Sequence, residues 1–259
     1  MKNKPRAIDK RDIIRVDTRN DFITGKYILE DANGNQIKLS LHARKLLYLA
    51  ISQVKQTDKG FYEFRVTPIE FADLMGVDVS NVYDTAKRTA SQLRMLGLRC
   101  VGSDGRTTTD YNVFSYCQYS DTSDIVFKLN SDMTDLLIDL KKNFSQPLLA
   151  DFIRMKSPYS MAVWHLMQRE MKSKKPSVTG LVGTPSCIEF YLSLEELRRV
   201  TDTEDKLMQL THFKERVLDK AIKEILDNCG VVIRYENVKS GRTVTGFNFY
   251  AYHFTNRMI

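Results

Sequence analysis

The sequence predicts an α+β fold made of two tandem winged helix-turn-helix domains that are related as an internal repeat. Two observations carry this prediction. The order helix, strand, helix, helix and two-stranded hairpin occurs twice along the 259 residues. Each hairpin also has a Gly-Arg-Thr triplet at its tip, at residues 105–107 and 241–243. A chain of this length can bury two separate hydrophobic cores.

The charge of the chain favours a polyanionic partner. The formal net charge is +7 and the pI is near 9.1, with Lys and Arg spread along the chain rather than collected in a tail. Nucleic acid is therefore the first candidate. The four cysteines, at 100, 117, 187 and 229, form no Cys-x-x-Cys pair, which argues against a zinc ribbon and a compact disulfide framework. We expect reduced thiols, no metal and no cofactor.

The start of the sequence, MKNKPRAIDKRD, contains no hydrophobic leader, and apolar runs such as LLYLAI are too short to cross a bilayer. We therefore expect a cytoplasmic protein without a membrane partner. Residues 1–20 alternate basic and acidic side chains and contain few apolar ones. We expect these residues to form a mobile or loosely attached basic arm.

The first winged-helix domain is predicted over residues 21–145. Ser40 is a suitable N-cap for its first helix. Thr67 and Glu70 then have the spacing of a capping box, where the short strand in FYEFRVTPIEF leads into a second helix. The third helix, SNVYDTAKRTASQLRML, should be capped by Ser80. The domain ends with a hairpin, a strand and a helix, in the sequences SDGRTTTD at the hairpin tip, DIVFKLN and SDMTDLLIDLKK.

The second domain is predicted over residues 146–259, because Pro147 and a loss of periodicity indicate a boundary. Ser157 should cap its first helix, SPYSMAVWHLMQREM. After the strand CIEFYLS, Ser193 and Glu196 repeat the capping-box spacing before the helix LEELRRV. The segment TDTEDKLMQL makes the link to the next helix longer than in the first domain. That helix, HFKERVLDKAIKEILDN, precedes two strands, VVIRYENV and TVTGFNFYAYH.

The last helix of the second domain is predicted to have two different faces. An apolar stripe should pack on the domain, at Phe213, Val217, Leu218, Ala221, Ile222 and Ile225. Basic side chains fall on the opposite face, at His212, Arg216, Lys220 and Lys223, mixed with Asp219 and Asp227. The face is compatible with a solvated surface of i, i+4 ion pairs. Its position before a basic-tipped hairpin favours contact with the DNA major groove, most of all for Arg216.

The first domain should offer a similar surface. Its third helix buries Val82, Ala86, Leu93 and Leu96 and turns outward Lys87, Arg88, Ser91 and Arg94. At the hairpin tips, Arg106, Arg242 and the neighbouring Lys239 can reach phosphates while a helix occupies the groove. A tip arginine is otherwise ordinary turn chemistry, and for Arg106 both interpretations stay open.

The aromatic run FNFYAYHF is compatible with a stacking platform for single-stranded bases. Its alternation favours a strand, with Phe247, Phe249 and Ala251 on the core side. The sequence has no P-loop, no His-x-His metal motif of the kind found in nicking initiators, and no Gly-x-Ser-x-Gly elbow. His165, beside Trp164 on an apolar helix, is expected to be a core residue. We therefore expect no enzymatic activity.

Several of these stretches together resemble a known family. The segments YLAISQV and VTPIEFADLMGV in the first domain, and SPYSMAVWHLM, LSLEELRRV, HFKERVLDKAIKEI and SGRTVTGFNF in the second, are similar to the initiator Rep proteins of iteron-type theta-replicating plasmids, the RepB/RepE-like family. The similarity covers roughly residues 16–254. Its most specific part is Phe-Lys-x-x-Val-Leu-x-x-Ala-x-x-Glu-Ile followed by the Gly-Arg hairpin.

The resemblance implies a bacterial replication initiator. Its tandem domains would straddle successive major grooves of repeated origin sites, the iterons, with the second domain supplying the main base readout. Monomers would bind the direct repeats and help open the origin. Dimers formed largely through the first domain would bind an inverted operator and repress their own gene. Host initiator proteins and the helicase or its loader would be recruited.

The recognition helix that the resemblance implies covers residues 213–225 and includes Lys214, Arg216, Lys220 and Lys223. Lys220 departs from the family, because many relatives have Pro there. Glu215 is acidic where the neighbourhood is usually basic, so it is not expected to contact phosphate, and a contact to cytosine N4 stays open. The loop 172–187 is longer than usual and has no functional account.

Three other functions remain in competition. A winged-helix repressor would use the same contacts on a single palindromic operator, whereas tandem unequal units favour direct repeats. A scaffold would use its winged helices for protein contacts and bind DNA weakly. A nicking initiator would need the clustered histidines that the sequence lacks.

Overall fold

The computed structural model describes residues 18–19, 22–23, 25–30, 33–101, 105–120, 123–138, 144–145, 148–174 and 186–253. The chain divides into two compact units, Met1–Ile153 and Arg154–Ile259. The observed division therefore falls later than the predicted one at 145/146. Most of the predicted N-terminal arm and of the 172–187 loop lies outside the described residues. Within the arm, Thr18–Arg19 form β1, which pairs with β8, Phe144–Ser145, so these two residues are attached and not loose.

A buried helix lies at the centre of the first unit. After β2, Lys26–Ile28, helix α1 spans Leu41–Ser52, and Ser40 caps it as predicted by accepting from the Ala43 amide. Ten successive residues of α1, from Ala43 onward, are buried. One of them, Tyr48, packs edge-on against Phe152, with ring centroids 4.5 Å apart.

The helix pair of the first unit follows β3, Phe64–Val66. Helix α2 spans Pro68–Met75, and the predicted capping box between Thr67 and Glu70 forms in both directions. A 3-10 turn then precedes α3, Val82–Arg94. The prediction that Ser80 caps α3 is wrong, because the hydroxyl of Ser80 donates to Asp78 Oδ1 at 2.7 Å. Asn81 takes the N-cap position.

The strands of the first unit form two three-stranded sheets. β4, Gly97–Val101, and β5, Thr108–Asn112, make the predicted hairpin, in a sheet of order β2-β4-β5. The stretch after the hairpin tip, predicted as one strand, is divided at the buried Val113. Its second part and the next strand form the second sheet, of order β3-β7-β6, where β6 is Phe114–Ser120 and β7 is Ser123–Leu129.

The predicted helix at 131–142 is shorter in the structure. It consists of a 3-10 turn, Ser131–Met133, and α4, Thr134–Leu137. Ile138 already has extended backbone angles, which end the helix. Residues 139–143 lie outside the described part of the chain.

The second unit repeats the helix pair and hairpin. Helix α5, Leu149–Arg154, crosses the boundary of the units and was not predicted. The other elements follow the predicted order: α6 Pro158–Ser173, β9 Ser186–Ser193, α7 Leu194–Val200, α8 over residues 210–229, β10 Val231–Ser240 and β11 Thr243–His253. The three strands form an antiparallel sheet of order β10-β11-β9.

Two predicted caps of the second unit differ in the structure. The side chain of Ser157 makes no capping bond to α6. The carboxylate of Glu224 accepts instead from the amides of Lys156 and Ser157, which precede the helix, at 2.9 and 3.2 Å. At α7, Ser193 accepts from the Glu196 amide at 3.0 Å, but the Glu196 carboxylate accepts from Arg169 at 2.9 Å, so one half of the predicted box forms.

The core of the second unit is aromatic. Phe247, Phe249 and Ala251 are buried, which confirms the core side of β11, and Phe190 stacks on Phe249 with centroids 5.5 Å apart.

His165 is buried as predicted. The four cysteines lie outside disulfides; those at 100 and 229 are buried and those at 117 and 187 are half-buried. Across the described ranges, no helix has the length and apolar character needed to cross a membrane.

Candidate nucleic-acid interface

Helix α8 presents a charged face to solvent in the second unit. Five residues of its predicted apolar stripe are fully buried: Phe213, Val217, Leu218, Ala221 and Ile225. The sixth, Ile222, is half-buried. This packing leaves exposed the four predicted contact residues His212, Arg216, Lys220 and Lys223. Glu215, Asp219 and Asp227 are exposed as well, so the face carries both signs of charge.

The middle of α8 is not a regular α-helix. Residues Leu210–Phe213 are α-helical, Lys214–Asp219 form a π-helical segment, and Lys220–Cys229 are α-helical again. A π segment widens one turn and rotates the side chains that follow it, and such segments are frequent at functional sites. Arg216 therefore has a different angular relation to Lys220 and Lys223 from the one that regular helical spacing predicts.

Three contacts join this segment to strand β10. The Lys214 ammonium donates to Asn237 Oδ1 at 3.4 Å and lies 5.2 Å from the centre of the Tyr235 ring. The Tyr235 hydroxyl donates to Asp219 Oδ1 at 2.7 Å. Burial and the Asp219 carboxylate together raise the pKa of Tyr235 well above its usual value. Sequence analysis missed Tyr235 and Asn237, because nothing in the strand pattern indicates a partner on α8.

The wing of the second unit is a long two-stranded ribbon. β10 and β11 turn at Gly241, whose φ of 60° suits glycine, and their register shifts between Val238 and Lys239. β9 pairs with β11 only from Gly246 onward, and Gly246 also pairs with Val238, so residues 239–245 extend beyond the three-stranded sheet. The predicted contacts Lys239 and Arg242 lie on this ribbon, and both are exposed.

The root of the wing depends on a close approach at Gly246. A Cβ atom at this position would lie 2.6 Å from the ring of Tyr191 and 2.5 Å from the carbonyl oxygen of Leu192. The Tyr191 hydroxyl donates to the Thr245 carbonyl at 3.3 Å, which holds the ring over the glycine. Only glycine leaves room for this arrangement.

The first unit also places predicted contact residues on its surface. In α3, Lys87, Arg88 and Arg94 are exposed and Ser91 is half-buried. The inward residues of this helix and of the turn that follows it are buried as predicted: Val82, Ala86, Leu93 and Leu96. Arg106 is exposed at the tip of the β4–β5 hairpin, next to Gly105 with its φ of 65°.

Arg88 of α3 interacts with its own helix and with His42 of α1. Arg88 is directed along its own helix, with donors 3.4 Å from the Asp84 carbonyl and from Thr85 Oγ1. Nearby, burial together with the charges of Lys45 and Arg88 lowers the pKa of His42 below its ordinary value of 6.5. Within the described part of the chain, no group of three His, Cys, Asp or Glu side chains could hold a metal ion.

The helix pair followed by a β-hairpin in each unit defines a winged-helix protein. Comparison with protein families then specifies the group: residues 16–168 match the family described as Initiator Replication protein, WH1, and residues 193–251 match Initiator Rep protein, WH2. The chain belongs to this family of initiator Rep proteins. The predicted fold of two tandem winged-helix domains and the predicted family are thereby confirmed.

A solved structure shares the fold. It is described as the crystal structure of Pi initiator protein in complex with iteron DNA, and it is similar to this chain with a TM-score of 0.71 at 18% sequence identity. The match covers 95% of this chain and 100% of that one. A comparison with curated proteins found no match.

Proposed function

We propose that this initiator Rep protein binds repeated duplex sites, the iterons, through α8 and the wing of its second unit. The observation that carries the proposal is the combination of exposed basic side chains on α8 with a projecting ribbon that bears Lys239 and Arg242. In winged-helix proteins a helix of this kind can enter the major groove while the wing reaches the backbone. The solved complex of Pi initiator protein with iteron DNA supports this proposal.

The proposed contacts of α8 have different roles. Arg216, Lys220 and Lys223, with His212 at the start of the helix, are exposed, which suits contacts to base edges and phosphates. Lys214 is half-buried against Tyr235, so it suits a phosphate at the rim of the groove. On the wing, Lys239 and Arg242 would contact the backbone.

The first unit would add backbone contacts through Lys87, Arg88, Ser91, Arg94 and Arg106. We propose that it also supplies the main surface for dimers, so that monomers bind direct repeats and open the origin while dimers bind an inverted operator and repress the gene. Recruitment of host initiator and of the helicase or its loader belongs to the same proposal, as does a site of action in the bacterial cytoplasm. The family match of the first unit, to Initiator Replication protein, WH1, supports a part for this unit in replication initiation.

The proposal is tested by footprinting and mobility shift on the DNA that flanks the gene, over a titration of protein and salt. Evenly spaced protections on direct repeats, with a separate operator site, are expected. A single palindromic footprint would make the protein a repressor. An absence of salt-sensitive duplex binding would contradict DNA binding altogether and leave the scaffold function.

A further inference from the structure

One arginine holds the long turn that connects α7 to α8. The terminal nitrogens of Arg198 donate to four main-chain carbonyls of this turn at 2.9–3.2 Å, those of Thr203, Lys206, Leu207 and Met208. The central carbon of the Arg198 guanidinium lies 4.7 Å from the centre of the Phe213 ring. Arg198 therefore contacts both the turn and the first turn of α8.

The turn has little regular structure of its own. Asp202 and Leu207 have φ values of 54° and 53°, a region that costs free energy for residues other than glycine. The hydroxyls of Thr201 and Thr203 share a hydrogen bond of 2.9 Å at its start. Four carbonyls after that point face the Arg198 guanidinium, and the bonds to Thr203 and Leu207 are half-buried, where an unsatisfied carbonyl would cost free energy.

Arginine is suited to this position by its shape. Its planar guanidinium presents donors in a fixed fork, so one side chain can satisfy two pairs of carbonyls and still stack on an aromatic ring. Lysine carries the same charge but has one nitrogen, which cannot reach both pairs. The substitution Arg198→Lys therefore keeps the positive charge and removes the hydrogen-bonding geometry.

We propose that Arg198 is a positioning residue for sequence recognition: it fixes the turn and Phe213, and thereby the start of α8 where His212 and Arg216 lie. The inference rests on the proposed function of α8. Phe213 is fully buried beneath the guanidinium, so the beginning of the helix is ordered before any DNA is bound. A helix that is ordered in advance does not lose that conformational freedom on binding, which favours the complex that requires one fixed geometry.

The test compares full-length Arg198→Ala and Arg198→Lys with the wild type on two probes. One probe is the duplex that the wild type selects from a random pool, and the other is a scrambled duplex of equal length. Both variants should lose at least about tenfold in affinity for the selected duplex, a loss comparable to one charge-assisted hydrogen bond. Affinity for the scrambled duplex should stay nearly constant, because it depends on counterion release.

Arg199→Ala is the matched control, since it removes a guanidinium from the adjacent position of the same helix. It should keep the discrimination between the two duplexes. Amide hydrogen exchange without DNA gives an independent readout: exchange should rise over residues 201–213 in both Arg198 variants and stay unchanged in the first unit.

Two results would overturn the inference. If Arg198→Lys behaves like the wild type while Arg198→Ala weakens binding to both duplexes and flattens the salt dependence, Arg198 contacts phosphate instead. If exchange rises but discrimination stays intact, the turn has a structural role alone. Should Arg198→Ala fail to fold, Arg198→Lys and Phe213→Leu, which removes the stacked ring, provide the same comparison. A wild type that selects no duplex contradicts the proposed function and, with it, this inference, whereas a wild type that selects a duplex and Arg198 variants that keep its discrimination contradict this inference alone.

Discussion

The Tyr235 hydroxyl on β10 donates to the Asp219 carboxylate on α8 across 2.7 Å. The ring of the same tyrosine lies beneath the Lys214 ammonium. Lys214 and Asp219 are the first and last residues of the π-helical segment. A single aromatic side chain of strand β10 therefore contacts both ends of the π-helical segment, which contains Arg216.

Replacing Tyr235 with Phe should lower the free energy of unfolding by about 1 kcal/mol, because one hydrogen bond to a carboxylate is lost while the ring stays in place. Urea unfolding of the full chain measures the loss. Tyr250→Phe is the matched control, since its hydroxyl lies 3.5 Å from Glu236 in an exposed pair. Equal effects of the two substitutions would contradict the special role of Tyr235.

Stability should depend on pH through His42. Its pKa in the folded chain lies below 6.5, so the unfolded chain binds the proton more readily. The free energy of unfolding should therefore fall as the pH drops below 6.5 toward the folded-state pKa. His42→Gln should reduce this fall, measured by urea unfolding at about pH 7.5 and about pH 5.5. An unchanged pH dependence in the variant would assign the effect to other groups.

The capping box of α2 should contribute measurably to the stability of the first unit. Thr67→Ala removes the acceptor for the Glu70 amide and should cost about 1 kcal/mol. Ser80→Ala should cost less, because the Ser80 hydroxyl bonds Asp78 rather than the start of α3. Thermal unfolding of the two variants side by side measures the difference, and the reverse order would contradict the observed caps.

Arg216→Ala tests base recognition by α8. If Arg216 contacts a base edge, the substitution should cost about 1–3 kcal/mol and relax the preference at one base pair. Dissociation constants on a set of single-base variants of the selected duplex measure both effects. A uniform loss on every duplex would instead identify a phosphate contact.

Arg242→Ala tests the wing. Loss of one phosphate contact should reduce the slope of log affinity against log salt by about 0.9. Arg234→Ala removes a charge from the three-stranded part of the same hairpin, beside Tyr252, and serves as the control. If the slope stays constant in Arg242→Ala, the wing does not belong to the DNA-binding surface.

Most of the fold was predictable because its signals are local. The Thr67 cap, the apolar stripe of α8 and the alternation of β11 each lie within one element, and all three are observed. The errors arose where a distant group decides the structure. Glu224, 67 residues away along the chain, binds the amide of Ser157 before α6, and Asp78 removes the hydroxyl of Ser80 from the start of α3.

The candidate site was predictable in its exposed charges but not in what supports them. Regular helical spacing separates buried from exposed residues in α8, yet it contains no sign of the π segment. Tyr235 and Arg198 each read as ordinary residues of a strand and a helix. Their importance comes from partners in other elements, which only the folded chain brings together.

The ribbon at residues 239–245 is supported by the sheet at one end only. Its root is clamped in a three-stranded sheet by Gly246 and Tyr191, whereas its free end has a single neighbouring strand. Two-stranded ribbons are weakly stabilised and twist readily, so compliance rises toward Gly241. We therefore expect Arg242 at the tip to adapt to differences in groove width among successive DNA repeats. Helix α8, by contrast, should tolerate little change in the DNA sequence.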